Sequence, residues 1–230
     1  FSEYEKIKFL KSKLNSSKNI INKFQFKNKE NKEVWDTFNV LSQEPAECLG
    51  AYVISMTSSA SDILSVSFLQ KEAKIKDKLR VVPLFETLED LINAKPIMEN
   101  LFSQKWYRKL INYNQEVMIG YSDSSKDAGK MCASWHQYKA QEEIVKLAKR
   151  YKIKIVFFHG RGGSAGRGGG PILATLRSLP PDSVNGKIRI TDQGEVIQQK
   201  YGYEPLAKYN LCSYIGAVAE ASLNPPPNPK

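Results

Sequence analysis

Five short apolar runs recur along the chain at a nearly constant spacing, and this period is the feature that most restricts the fold. Successive runs start 30, 36, 36 and 34 residues apart, which is about the length of one strand–helix unit. The runs are AYVISM at 51–56, VVPLF at 81–85, VMIGY at 117–121, IKIVFF at 153–158 and KIRI at 187–190. Longer helix-forming segments lie between them, and the alternation predicts an α/β fold.

The helix-forming segments carry recognisable start signals. Thr87 is followed three residues later by Asp90, which is close to a capping box at a helix start. Residues 129–151 are a long uninterrupted stretch of good helix formers. Residues 1–45 predict one or two amphipathic helices joined by a polar stretch at 27–32. The apolar positions at helical spacing in the first of them are Tyr4, Ile7, Leu10 and Leu14.

Polar side chains follow the apolar runs at the point where the predicted strands end. They are Thr57, Glu86, Ser122 with Asp123, His159 with Arg161, and Thr191 with Gln193. In a (β/α) barrel, the carboxyl ends of the strands meet at one mouth, where active sites are built. A full barrel needs eight units and five are present. We therefore expect residues 46–230 to form part of a TIM-type (β/α)8 barrel elaborated with extra helices, preceded by a helical segment at 1–45.

Glu86 and Asp123 are the carboxylates at neighbouring strand ends. Such a pair suits Mg²⁺ or Mn²⁺, which takes one or two carboxylates and completes its shell with water and substrate oxygens. Each residue taken singly also fits a helix cap. Their matched placement before the glycine-rich segment favours the metal. Lys126, in the polar stretch YSDSSKDAGK, is either a contact for phosphate or carboxylate or an ordinary solvated lysine.

The segment FFHGRGGSAGRGGGP at 157–171 combines seven glycines with two arginines. Bare backbone amides and guanidinium groups suit an oxyanion, and phosphate in particular. The segment also satisfies the dinucleotide pattern G-x-G-x-x-A, but its second half, GRGGGP, has no role there. A flexible loop is the remaining alternative. His159 beside Arg161 is interpreted as a hydrogen-bonding or electrostatic group of the same site.

Composition narrows the class of protein. A formal net charge of +10 suits either nucleic acid or anionic small substrates, but the lysine-rich stretches lack aromatic interleaving and are interpreted as solvated surface. Three widely spaced cysteines predict neither a disulfide framework nor a zinc site, which favours a reducing compartment such as the cytoplasm. Apolar runs are too short for a membrane span, so we expect neither nucleic acid nor a membrane as partner.

Five segments together resemble the signature regions of the phosphoenolpyruvate carboxylase family, in the same order. They are YVISMTSSASDILSV, VVPLFETLEDL, VMIGYSDSSKDAGK, FFHGRGGSAGRGGGP and ITDQGEVIQQKYG. The resemblance covers roughly residues 45–230 and implies an α/β barrel enlarged by helices. It also implies a lyase that joins phosphoenolpyruvate to bicarbonate with Mg²⁺ or Mn²⁺, giving oxaloacetate and inorganic phosphate. Such an allosteric enzyme replenishes the tricarboxylic acid cycle and fixes carbon dioxide.

The resemblance assigns roles residue by residue. Glu86 and Asp123 match the metal ligands, and Lys126 matches the active-site lysine of the YSDS-x-K signature. The remaining catalytic and substrate-binding positions lie on the glycine loop. These are His159, Arg161 and Arg167 as catalytic residues, and Arg161, Gly162, Gly163 and Arg167 as substrate-binding residues. Arg167 also matches a residue that binds acidic feedback inhibitors such as aspartate or malate.

The resemblance implies subunits about four times as long as this chain, which usually assemble into homotetramers. We therefore expect a central piece of a carboxylase, with its metal ligands present and its site incomplete, that is not active alone. The alternatives are a catalytically inert fragment that binds metal and phosphate alongside other segments, and a domain that binds a dinucleotide or nucleic acid.

Overall fold

The computed structural model describes residues 1–21, 26–160, 171–192 and 194–227. In these ranges the chain forms ten α-helices and five β-strands. The strands are β1 (Ala51–Ile54), β2 (Arg80–Phe85), β3 (Asn114–Gly120), β4 (Lys154–Gly160) and β5 (Arg189–Ile190). The helices are α1 (Glu3–Leu14), α2 (Lys29–Leu41), α3 (Ala60–Glu72), α4 (Leu88–Ser103), α5 (Lys105–Leu110), α6 (Ser122–Ala128), α7 (Lys130–Tyr151), α8 (Ile172–Arg177), α9 (Gly194–Tyr201) and α10 (Glu204–Leu223).

Each of the five predicted runs overlaps a strand, and strands that are neighbours in the chain are neighbours in the sheet. All four pairings are parallel. The longest joins β3 to β4 over seven residues, with Ile119 opposite His159 and Gly120 opposite Gly160. This confirms the α/β class with a five-stranded parallel sheet and many helices.

The chain divides into two compact units, Phe1–Pro83 and Leu84–Lys230. In the first unit α1 packs on α3, and the carboxylate of Glu3 accepts hydrogen bonds from the N–H and the hydroxyl of Ser61, both at 2.8 Å. A small core around Phe38 includes the ring of Tyr52, whose centroid is 5.0 Å away.

The second unit contains β3, β4 and β5 and the helices from α4 onward. α4 packs against α7 through buried side chains that recur at helical spacing on both helices. Those of α4 are Leu91, Ala94, Ile97, Met98, Leu101 and Phe102, and the apolar ones of α7 are Ala133, Ala140, Ile144, Val145, Leu147 and Ala148. Near the end of the chain, α8 and α10 share a separate apolar cluster around Leu176 and Ala217.

The helical segment at the start of the chain differs from the prediction in two details. Ile7 and Leu10 are buried as expected, but Tyr4 is 74% exposed, because Glu3 rather than Tyr4 lies on the side of α1 that contacts α3. α2 begins at Lys29, inside the stretch predicted to be a linker, because the side chain of Asn28 accepts a hydrogen bond from the N–H of Glu30 at 2.7 Å. A polar run thus supplied a helix cap.

In the described ranges, the helices are all too short or too polar to cross a membrane. Cys48, Cys132 and Cys212 are free thiols.

Candidate active site

Glu86 follows the last residue of β2 and lies directly against the end of β3. A Cβ atom added to Gly120 would be 2.7 Å from Glu86 Cβ and 2.8 Å from Glu86 Cα. A Cβ atom does not come this close to other heavy atoms in a folded protein. Glycine at position 120 is therefore what lets the ends of β2 and β3 approach each other here. The half-buried Glu86 is thereby held at the carboxyl edge of the sheet.

The start of α4 fixes the backbone at Glu86. The predicted capping box is present: Thr87 Oγ1 accepts from Asp90 N at 3.1 Å, and the Asp90 carboxylate accepts from Thr87 N at 3.0 Å. The same carboxylate accepts from Glu86 N at 3.2 Å. Asp127 of α6 accepts from Leu88 N at 3.0 Å. Capping is therefore performed by Thr87, Asp90 and Asp127.

Asp123 and Lys126 lie one turn apart on α6 and are brought together by that turn. Lys126 Nζ donates to Asp123 Oδ1 at 3.2 Å, and the two side chains are 77% and 52% exposed. An ion pair this open to solvent adds little to stability. These two predicted site residues thus share one exposed surface, whose position depends on how α6 is anchored.

Two buried polar residues that the sequence analysis did not identify anchor α6 to the end of β3. Ser124 Oγ donates to the carbonyl oxygen of Gly120 at 3.1 Å. Gln137 of α7 donates from Nε2 to the same carbonyl at 3.2 Å and to Ser124 Oγ at 2.8 Å. Ser124 is fully buried and Gln137 is 5% exposed. The signal in the sequence was a polar residue at a helix position whose spacing matches that of core residues, because a polar side chain buried there must form hydrogen bonds.

His159 lies at the end of β4 and is 2% exposed. Its carbonyl oxygen accepts from Thr191 N at 3.0 Å, which links it to the segment after β5. A hydrogen bond of 2.7 Å joins its Nδ1 to the hydroxyl of Tyr121. The structure therefore brings the predicted His159 together with Tyr121, the residue that follows β3, a contact that the sequence analysis did not predict.

A further polar cluster follows β5. Lys200 Nζ donates to Asp192 Oδ1 at 2.7 Å and to Tyr214 Oη at 3.1 Å, and Tyr201 donates to Asp192 Oδ2 at 3.3 Å. Burial, together with the charge of Asp192 and the nearby Tyr214, raises the pKa of Tyr201 to about 12. Asp192 is thus engaged in holding α9 and α10 at the end of β5.

The other predicted positions, Arg161, Gly162, Gly163 and Arg167, lie outside the described residues, as does Gln193. Among the residues that are described, no group of three or more His, Cys, Asp or Glu side chains is arranged to hold a metal ion. Glu86 follows β2 and Asp123 lies in the first turn of α6, and both offer the oxygen ligands that Mg²⁺ and Mn²⁺ use in small number, whereas structural zinc requires four ligands. The residues present therefore fit a magnesium-type ion.

Comparisons with known proteins identify the family to which the chain belongs. The family model for phosphoenolpyruvate carboxylase matches residues 1–230. The chain is 50% identical over 230 residues to the phosphoenolpyruvate carboxylase of Flaveria pringlei. The aligned residues are 100% of this chain and 24% of that protein. It is 53% identical over 204 residues to phosphoenolpyruvate carboxylase 3 of Arabidopsis thaliana, covering 89% of this chain and 21% of that protein.

The phosphoenolpyruvate carboxylase of Marinomonas sp. (strain MWYL1) is 51% identical over 222 residues, covering 96% of this chain and 25% of that protein. The chain spans about a quarter of the length of the curated relatives it matches. Since the family model matches the whole chain and relatives in three organisms share about half of its residues, the chain belongs to the phosphoenolpyruvate carboxylase family.

Proposed function

We propose that this chain is the part of a phosphoenolpyruvate carboxylase that binds the metal and the transferring phosphoryl group. The observation that carries the proposal is the match over the whole chain to proteins of that name. The sheet supports it, since Glu86 follows β2, Tyr121 follows β3 and His159 is the next-to-last residue of β4, all at the edge where the sites of barrel enzymes are built.

In the proposed reaction an oxygen of bicarbonate attacks the phosphorus of phosphoenolpyruvate, and the enolate of pyruvate leaves. The resulting carboxyphosphate loses inorganic phosphate and becomes carbon dioxide. The enolate carbon then attacks carbon dioxide to form oxaloacetate, so that every atom of both substrates is accounted for. Negative charge develops on phosphoryl and enolate oxygens, which requires preorganised donors and cations.

Glu86 and Asp123 are the residues that we propose to hold Mg²⁺ or Mn²⁺. When bound, the dication supplies stabilisation of negative charge on the substrate oxygens. Glu86 is held half-buried against Gly120, whereas Asp123 sits on the exposed turn of α6 with Lys126. Lys126 contributes a cation next to the phosphoryl group, and His159 contributes a buried imidazole at the end of β4 that can hold or move a proton.

Arg161, Gly162, Gly163 and Arg167 form the proposed phosphate-binding loop. Guanidinium forks and bare amides match the oxygens of the phosphoryl and carboxyl groups. A loop that covers carboxyphosphate keeps it from water until carbon dioxide meets the enolate. Arg167 also binds an acidic inhibitor such as aspartate or malate in this proposal, which makes the enzyme allosteric.

The proposed setting follows the same family. The five parallel strands belong to a TIM-type (β/α)8 barrel of which residues 46–230 form part, with residues 1–45 as a helical segment before it. The enzyme is a homotetramer in the cytoplasm that replenishes the tricarboxylic acid cycle, and this chain without the other segments is inactive.

The direct test measures oxaloacetate and phosphate formed by the natural polypeptide when phosphoenolpyruvate, bicarbonate and Mg²⁺ or Mn²⁺ are supplied. Glu86→Gln and Arg167→Ala are expected to lower kcat by at least about 100-fold. The matched control is Glu89→Gln, an exposed carboxylate in the first turn of α4, which is expected to keep wild-type activity. Unchanged activity in Glu86→Gln or Arg167→Ala overturns the assignment of these residues.

A denatured mass measured by mass spectrometry on the natural polypeptide decides between enzyme and inert fragment. A mass near 100 kDa, about four times the 26.0 kDa of this chain, supports a barrel completed by further segments. A mass of 26.0 kDa favours the alternative that the chain binds metal and phosphate without turnover unless other chains supply the missing parts.

A further inference from the structure

Tyr121 and His159 form a pair across the sheet that the family match does not assign. Tyr121 follows the last residue of β3, and His159 is the next-to-last residue of β4. The phenol oxygen is 2.7 Å from Nδ1, and the ring centroids are 6.0 Å apart with the planes tilted by 45°. The contact is thus made edge to edge through one hydrogen bond rather than by stacking.

The sheet fixes the backbone of His159 but not the orientation of its ring. The residue lies opposite Ile119 of β3 and Ile190 of β5, and its carbonyl oxygen accepts from Thr191 N. The ring also touches Phe157, with centroids 6.4 Å apart, a contact without a preferred ring nitrogen. The hydrogen bond between the phenol and Nδ1 is directional and treats Nδ1 differently from Nε2.

The backbone of Tyr121 is held by hydrogen bonds from α6 and α7. The carbonyl oxygen of Tyr121 accepts from Ser125 Oγ at 2.8 Å and from Ser124 Oγ at 3.2 Å. The preceding carbonyl, that of Gly120, accepts from Gln137 Nε2. These bonds fix the backbone that carries the phenol, and a fixed support of this kind is what a positioning contact to a functional histidine needs.

We propose that Tyr121 is a positioning residue for His159, in that its hydroxyl donates to Nδ1 and fixes the orientation and tautomer of the imidazole. The neutral ring then carries its proton on Nε2. The inference rests on the proposed function, in which His159 is a catalytic residue.

The test uses Tyr121→Phe in the natural polypeptide, which removes only the hydroxyl. We expect kcat to fall about tenfold, the effect of one hydrogen bond of about 1.4 kcal/mol. The KM for phosphoenolpyruvate should stay within about twofold, because the proposed role of the phenol is to orient His159 and not to bind the substrate. The matched control is Tyr107→Phe, which removes a buried hydroxyl that donates to Gln115 Oε1 at 2.7 Å and should leave kcat unchanged.

A second measurement does not depend on activity. Solid-state ¹⁵N spectra of histidine-labelled protein distinguish protonated from unprotonated ring nitrogens, and the His159→Asn spectrum identifies the signals of His159. We expect one neutral tautomer in the wild type and in Tyr107→Phe, and a mixture in Tyr121→Phe.

The two measurements separate the two hypotheses. A wild type that does not carboxylate phosphoenolpyruvate contradicts the proposed function, while the spectra still decide whether Tyr121 orients His159. Unchanged spectra in Tyr121→Phe overturn the positioning role whatever the activity. Unchanged kcat together with altered spectra overturns the inference that this positioning serves catalysis.

Discussion

The end of β4 and the turn of α6 both carry predicted site residues, but the two regions hold them differently. His159 is 2% exposed and is held by hydrogen bonds from neighbouring segments. Asp123 and Lys126 are 52% and 77% exposed at the side chain and meet through one helical turn. A change in the buried region is therefore expected to alter stability together with function. A change on the α6 turn is expected to alter function alone.

The sharpest test of that difference is Lys126→Met in the natural polypeptide. Loss of a cation beside the transferring phosphoryl group should lower kcat by about 100-fold or more. The free energy of unfolding should change by less than about 0.5 kcal/mol, since the ion pair with Asp123 is exposed. Steady-state kinetics and urea denaturation measure the two quantities.

The control for this variant is Lys146→Met, which removes another exposed lysine, 60% accessible at the side chain, whose Nζ lies 3.1 Å from Glu142 and 3.0 Å from Glu143. It should keep both kcat and stability. Equal kinetic losses in the two variants would show that Lys126 acts as a general surface charge.

Gly120→Val tests the buried end of β3, where Gly120 lies opposite Gly160 at the end of β4. The added side chain collides with the backbone and Cβ of Glu86, and overpacking of this kind costs about 1–3 kcal/mol of unfolding free energy. We also expect a loss of metal-dependent activity because Glu86 is displaced. Gly216→Ala, a helical glycine in α10 whose added Cβ meets nothing within 4 Å, should instead be neutral or slightly stabilising. Similar urea midpoints for the two variants would contradict the close contact at Gly120.

Asp127→Ala tests the link between α6 and the start of α4. Asp127 belongs to α6, but its carboxylate caps the N–H of Leu88 at the start of α4. Loss of a cap costs about 1 kcal/mol of unfolding free energy, measured by urea denaturation. Asp77→Ala, at an exposed position in a bend, should stay within about 0.5 kcal/mol of wild type, and an equal loss in both would rule out a specific cap.

The smallest effect is expected from pH. Hydrogen bonds from Lys95 and then Lys146 lower the pKa of Glu143, so the pair Lys95–Glu143 between α4 and α7 (2.6 Å) stabilises the fold above the ordinary pKa of 4.5. This stability is lost as the pH falls through and below that value. In Lys95→Met the acid-induced loss of unfolding free energy should be smaller by a few tenths of a kcal/mol.

Urea denaturation at about pH 6 and about pH 3 measures this difference. Lys29→Met removes a more exposed pair, with side chains 89% and 66% accessible, and should show no such change. An acid-induced loss in Lys95→Met equal to that of the wild type would mean that the Lys95–Glu143 pair does not stabilise the α4–α7 contact.

Local features of the sequence predicted much of the fold. The apolar period located all five strands because a buried parallel strand must be apolar over its short length, and Thr87 with Asp90 predicted a capping box that is present. The anchoring roles of Ser124 and Gln137 were not predicted from the sequence. Their polarity suggested surface positions, but buried hydrogen bonds to the carbonyl oxygen of Gly120 make them anchors for α6.

The sequence by itself determined where the chain is extended or helical and which strand ends carry Glu86, Asp123 and His159, since both depend on neighbours within a few residues. Only the tertiary structure decided which of these groups meet. Tyr121 and His159 are 38 positions apart, and Asp127 and Leu88 are 39 apart. Such contacts depend on the register of β3 against β4 and on the packing of helices, which local propensity does not specify.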